Sequence, residues 1–251
     1  MSKIEHYRTT LRSLTDWDDF LLKESKLPGP RANLELANLV ADEGTEAQFR
    51  HFLTFDAQRF PANTPGEFLA VCGAMGLGRL LAQGDFNVLE TLRKCASDPR
   101  WRVREGVAMA LQRLGDTNVR RLLSEMERWG RGNFLEMRAA AATLSEPRLL
   151  RQNDYAKQTL ELLDRITASI ASANDRNTDE FRALKKGMGY CWSVAVAAYP
   201  TAGIPLMERW FSTTDKDVRW IMRENLKKKR LERMNAGWVY QSQLQLERSK
   251  S

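Results

Sequence analysis

The sequence predicts an all-α protein assembled from consecutive helix pairs. Strand signals are scarce: no long alternating run of Val, Ile, Thr and aromatics occurs, and the 251 residues include five isoleucines. Leu, Ala, Arg, Glu and Met dominate instead, at helical spacing. The amphipathic stretches come in twos, joined by short turns containing Asp, Asn or Pro.

Taken in order, helical segments are expected near 3–25 and 33–43, as capping helices over 1–44. Between them "LPGPRANLEL" at 27–36 reads as a rigid loop: its prolines delay the next helix and Asn33 is placed to cap it. Its Arg31 is read as structural. Five helix pairs are expected from 45 to 234. "TEAQFRHFLTF" pairs with "PGEFLAVCGAMGLGRLLA" across "DAQRFPANT". In "NVLETLRKCA" the apolar Val88, Leu89, Leu92, Cys95 and Ala96 share one helical face. After the turn "SDPR", Val103, Val107, Ala110, Leu111 and Leu114 give a second stripe, with Gly115–Asp116 expected to stop it. "NVRRLLSEMERWG" precedes "NFLEMRAAAATL", closed by Glu146–Pro147. "DYAKQTLELLDRITASIASA" breaks at "NDRNTD" and resumes as "EFRALKKGMGYCWSVAVAAY", and "GIPLMERWF" passes through "STTDKD" into "VRWIMRENLKKKRLERM". Residues 235–251 read as a C-terminal tail. No Gly/Ser linker divides the chain, so 1–251 reads as a single domain.

Composition narrows the function classes. Hydrophobic residues make up 43% and charged residues 28%, as in folded proteins. The net charge of +7 and a pI near 9.4 point to an anionic partner. Cys72, Cys95 and Cys191 are widely spaced, no CxxC occurs, and the two histidines are His6 and His51, so neither a metal nor any other cofactor is expected. "CGAMGLG" sits inside a helical pattern with no preceding strand, which excludes a dinucleotide fingerprint; Gly73, Gly76 and Gly78, like Gly187 and Gly189, read as sites of close helix packing. The N-terminus lacks an apolar signal region and no apolar run reaches membrane length. A cytoplasmic monomer without membrane contact is expected.

The stretch "DPRWRVREGVAMAL" at 98–111 carries a family resemblance. Asp98, Val103, Arg104, Ala108, Ala110 and Leu111 resemble the second helix of a HEAT repeat. Val218, Arg219 and Leu226 hold the matching places in "DVRWIMRENL", and Met137, Arg138 and Leu144 do so more loosely. The resemblance covers about three quarters of the chain. It implies a right-handed superhelical solenoid of stacked hairpins, each burying its apolar face against its neighbours. It also implies that an Asp in the turn and an Arg after the Val form a ladder between repeats, which accounts for Asp98, Asp217, Arg104 and Arg219.

The ladder leaves further cations and aromatics unexplained. Arg100 and Arg102 flank Trp101, while Lys216, Arg223 and the run Lys227–Lys228–Lys229–Arg230 surround Trp220. Lys185 and Lys186 open another second helix, followed by Tyr190 and Trp192. In a HEAT-type solenoid the second helices line the concave surface. Together with Arg104, Arg138 and Arg219, these side chains would make a basic, Trp-containing face for nucleic acid, where phosphates replace counterions and bases stack on aromatics. An acidic protein surface is the alternative partner, the protein then being an interaction scaffold. A non-catalytic binding scaffold is the leading expectation.

One sharper alternative comes from spacing. Trp101 and Glu105 share a helical face at i,i+4, and Trp220 and Glu224 repeat the arrangement. In its stacked pairs, basic balance and tryptophan-rich second helices the chain is similar to the HEAT-like DNA alkylation-repair glycosylases. That resemblance implies a carboxylate, here Glu105 or Glu224, acting on alkylated purines. The chain departs from the family in offering Glu rather than Asp and in lacking its full aromatic–carboxylate set.

Overall fold

A computed structural model of the chain describes residues 2–248. Among them it forms fourteen α-helices, one short 3-10 turn and no strand. Two compact units meet in sequence at Asn118/Val119.

The first unit contains α1 (Lys3–Ser13), α2 (Asp18–Glu24), α3 (Leu34–Glu43), α4 (Glu46–Phe52), α5 (Pro65–Ala82), α6 (Val88–Cys95) and α7 (Trp101–Thr117). Local chemistry sets the starts. Asn33 accepts from the Leu36 amide at 3.3 Å, the cap expected from sequence, and Thr45 with Gln48 forms a reciprocal capping box on α4. The apolar α5 is the unit's core helix: fourteen of its residues are buried, and it packs on α3, α4 and, most extensively, α7. Close approach explains its glycines. A Cβ on Gly76 would lie 2.1 Å from the Phe49 ring, and one on Gly78 would lie 2.4 Å from the Ala110 Cα of α7.

The second unit contains α8 (Val119–Trp129), α9 (Phe134–Leu144), a 3-10 turn at Leu149–Arg151, α10 (Asn153–Ala171), α11 (Asp179–Ala198), α12 (Pro200–Glu208), α13 (Lys216–Leu226) and α14 (Lys229–Arg248). Within it α9, α11 and α13 pack in succession, as do α8, α10 and α12, so alternate helices form two rows. The rows are sealed by buried side chains such as Leu160, Leu163, Phe181, Met188, Ile221 and Met222.

Three expectations need correction. Gly115–Asp116 does not stop α7, which continues to Thr117 because Gly115 is buried within the packed face. The run 218–234 is not one helix: it breaks at Lys227–Lys228, and α14 starts at Lys229. The segment read as a tail from 235 is helical to Arg248 after a kink at Asn235 (φ −161°, ψ 91°). It stays docked because Val239, Ser242 and Leu246 are buried along it and Arg219 donates to the Leu246 carbonyl.

Candidate functional site

The first unit turns most of its expected ligand-facing cations into structural ties. Arg100, 3% exposed, donates to both oxygens of Asp98 at 2.9 and 2.8 Å and to the carbonyls of Phe55 (2.7 Å) and Phe60 (3.1 Å). Arg102, 7% exposed, pairs with the fully buried Glu67 at 3.0 Å and donates to the Gly29 carbonyl at 2.7 Å. Both were expected on a binding face. They lie inside because a guanidinium fork serves several acceptors that would otherwise be buried without donors. Arg104 donates to the carbonyls of Asp98 (2.6 Å) and Pro99 (3.0 Å), closing the turn before its own helix. Trp101 remains 48% exposed, with the Arg102 guanidinium 4.5 Å from its ring centre, and Glu105 lies half-buried one turn further on.

The second unit sorts its candidates the same way. Trp192 is fully buried and donates to Thr167 Oγ1 at 3.0 Å, so it is a core side chain and not a stacking platform. Arg219 is buried, donating to the carbonyls of Leu246 and Thr213. Arg138 is buried too, its Cγ packed close to Gly187 of α11. Lys186, Lys216 and Lys227 are exposed and Arg223 is half-buried.

One group of candidates does come together. Facing parts of α11 and α13, with the start of the 227–230 segment, border a cleft of about 510 Å³. Trp220, Glu224, Lys185 and Lys186 line it, all four expected from sequence. Tyr190, Arg182 and Lys228 complete the rim, and Gly189 lies between the aromatics.

The cleft is built from the turn upward. Asp215 caps α13, accepting from the amides of Asp217 (3.0 Å) and Val218 (2.9 Å). That start fixes Asp217, which receives Lys185 Nζ from α11 at 2.7 Å and Arg176 at 3.0 Å from the loop before α11. Burial works against the charged form of Asp217. Hydrogen bonds and positive charge from Lys185 and Arg176 outweigh it and hold the carboxyl below its usual value. Arg176, in turn, is raised chiefly by its hydrogen bond to Asp215. Asp217 therefore ties two neighbouring helix pairs together and holds Lys185 over the Trp220 ring, 4.9 Å from its centre.

Gly189 sets how close the indole sits. A Cβ there would approach Trp220 Cζ3 to 3.0 Å and the Glu224 Cβ to 3.3 Å. Tyr190, 46% exposed, has Arg230 at 4.7 Å and Lys228 at 5.9 Å from its ring centre, and its hydroxyl accepts from Arg230. Glu224 accepts from Lys227 through Oε1 at 2.6 Å, leaving its second oxygen for another donor. Arg182 is exposed and paired with Asp179 at 2.7 Å. Four cations thus border a small aromatic cleft that holds one carboxylate.

Of the lining residues, Arg182 alone had no reading from sequence; Gly189 was expected only to allow close helix packing, Lys228 only as part of the basic run 227–230, and Tyr190 only as one aromatic among the cations of α11. The available signal was helical spacing: Tyr190 follows Lys186 at i+4, as Lys186 follows Arg182. Among the described residues no group of three or more His, Cys, Asp or Glu side chains is placed to hold a metal ion, and no helix is long and apolar enough to cross a membrane. No protein-family model, curated protein or solved structure matches the chain.

Proposed function

We propose that the protein is a non-catalytic binding scaffold of HEAT-like helix pairs that takes nucleic acid at the α11–α13 cleft. The observation that carries this is the cleft itself: Trp220 and Tyr190 stand beside Lys185, Lys186, Arg182 and Lys228. Cations neutralise phosphates and the aromatics accept bases, a combination suited to single strands. The two packed rows of alternate helices in the second unit support the solenoid reading. The +7 net charge agrees with an anionic partner.

Fluorescence anisotropy with labelled single-stranded and duplex DNA and RNA, over a salt series, tests the proposal. If Arg182, Lys186 and Lys228 each displace a counterion, the log–log salt slope for a single strand is about −2. Lys186→Glu with Arg182→Glu should weaken binding strongly and leave helicity unchanged. No binding at low salt removes nucleic acid as the ligand and leaves an acidic protein surface as the alternative.

A second reading, an N-glycosylase for alkylated purines, rests on Glu224 bordering the same cleft as Trp220. Four cations there work against a positively charged lesion, so binding stands first. Base release from alkylated duplex above the spontaneous rate, lost in Glu224→Gln, would reverse that order.

A further inference from the structure

The cleft carries a feature that phosphate binding does not use. A site for phosphates alone has no need of a carboxylate, because an anionic acceptor repels the ligand it serves. Yet Glu224 borders this cleft, one turn along α13 from Trp220 and on the same helical face. A carboxylate oxygen accepts hydrogen bonds, so what Glu224 recognises in a ligand is a donor.

The surroundings narrow that donor. Lys185 over Trp220, and Arg230 and Lys228 beside Tyr190, disfavour a cationic donor such as an alkylammonium group, which would meet positive charge at both rings. A neutral donor on a flat, stackable body, joined to an anionic backbone, meets every requirement. An amino-bearing nucleobase has that chemistry: its π-face stacks on an aromatic, its phosphate pairs with lysine, and its N–H₂ donates to a carboxylate. The cleft's 510 Å³ lies within the range of small-molecule sites, so one nucleotide is the natural occupant.

Resting on the nucleic-acid reading above, we propose that the α11–α13 cleft accepts a single unstacked base against Trp220 and Tyr190, and that Glu224 makes it select bases carrying an exocyclic amino group. Gly189 is the enabling position. A side chain there would press on both Trp220 and Glu224, displacing the stacking surface and the acceptor together.

Cytosine and uracil provide the test, because they are alike in size but differ where cytosine presents an N4 amino donor and uracil an O4 acceptor. Anisotropy with labelled oligodeoxycytidylate and oligodeoxyuridylate, equal in length and salt, should show the cytosine strand bound about tenfold more tightly. Glu224→Gln should bring the two affinities together, since an amide both donates and accepts. Lys227→Met, which removes the partner of Glu224 Oε1, should leave the preference intact. Trp220→Ala should weaken both strands by about tenfold or more, and Gly189→Leu should reproduce that loss should the alanine variant fail to fold. Equal wild-type binding of both strands overturns the selectivity while the nucleic-acid reading stands. A preference that survives Glu224→Gln overturns the role of Glu224. Binding to neither strand overturns both readings.

Discussion

Arg102 decides whether the arginines around Trp101 act on a ligand or hold the fold. Its guanidinium lies 3.0 Å from Glu67 Oε2, 2.7 Å from the Gly29 carbonyl and 3.4 Å from Asn63 Oδ1. Glu67 is fully buried, and its other partner on that oxygen is the Asn63 amide at 2.7 Å. Arg102→Ala would leave a buried carboxylate with its countercharge removed and cut the tie between α7 and the 26–31 loop. Breaking such a pair from one side costs about 3–5 kcal/mol. Against a total stability of about 5–15 kcal/mol, that is a large fraction. For a chain of this size the midpoint should fall by about 6–20 °C, read by far-UV circular dichroism. If the two units melt separately, the transition of the unit that holds Arg102 and Glu67 should move and the other should not. Arg102→Met with Glu67→Gln removes both charges, so the double variant should recover most of the loss and give a large coupling energy in the cycle. A midpoint for Arg102→Ala within about 1 °C of wild type, with weaker nucleic-acid binding, would refute the reasoning and return Arg102 to a binding face.

Other outcomes follow from the same packing. Because its folded pKa is lowered, the stabilisation from Asp217 is present above the ordinary carboxylate value, about pH 4, and is lost as pH falls through the folded value. Asp217→Asn should therefore lower the neutral-pH midpoint and flatten the acid limb of stability against pH. Trp192→Ala should cost about 3–5 kcal/mol in urea unfolding, whereas substitution of the exposed Lys186 should cost almost nothing; equal effects would contradict the burial pattern. Gly78→Ala sets a methyl against the backbone of Ala110, which cannot rotate away, so overpacking of about 1–3 kcal/mol should exceed the gain in helix propensity. Burial first, and then the Asp98 charge, pushes the Cys95 thiol up to about 11, so iodoacetamide should label it slowly at neutral pH until the protein is unfolded.

The helix pairs were legible because their stripes obey one period. Val103, Val107, Ala110, Leu111 and Leu114, chosen from spacing, are all buried in α7, and Val88 and Leu92 are buried in α6. Where apolar residues thin out the signal fades. Val239, Ser242 and Leu246 dock α14 from within a Gln-rich segment, and Lys227–Lys228 interrupts a run whose composition favours helix throughout.

The site was harder to read because a cation's role depends on acceptors distant in sequence. Nothing near Arg100, Arg102 or Arg219 reveals the carbonyls of Phe55, Gly29 or Leu246 that occupy them. One chemical distinction does separate the candidates: the buried ones are arginines, whose forks satisfy several acceptors at once, while Lys186, Lys216 and Lys227 stay in solvent. Helical geometry separates the aromatics in the same way. Measured around α11 from the exposed Lys186, Tyr190 stands about 40° away and Trp192 about 120° away, so a face that presents Lys186 to a ligand presents Tyr190 with it and turns Trp192 inward. The period that found the helices therefore also distinguishes the aromatic that borders the cleft from the one that fills the core.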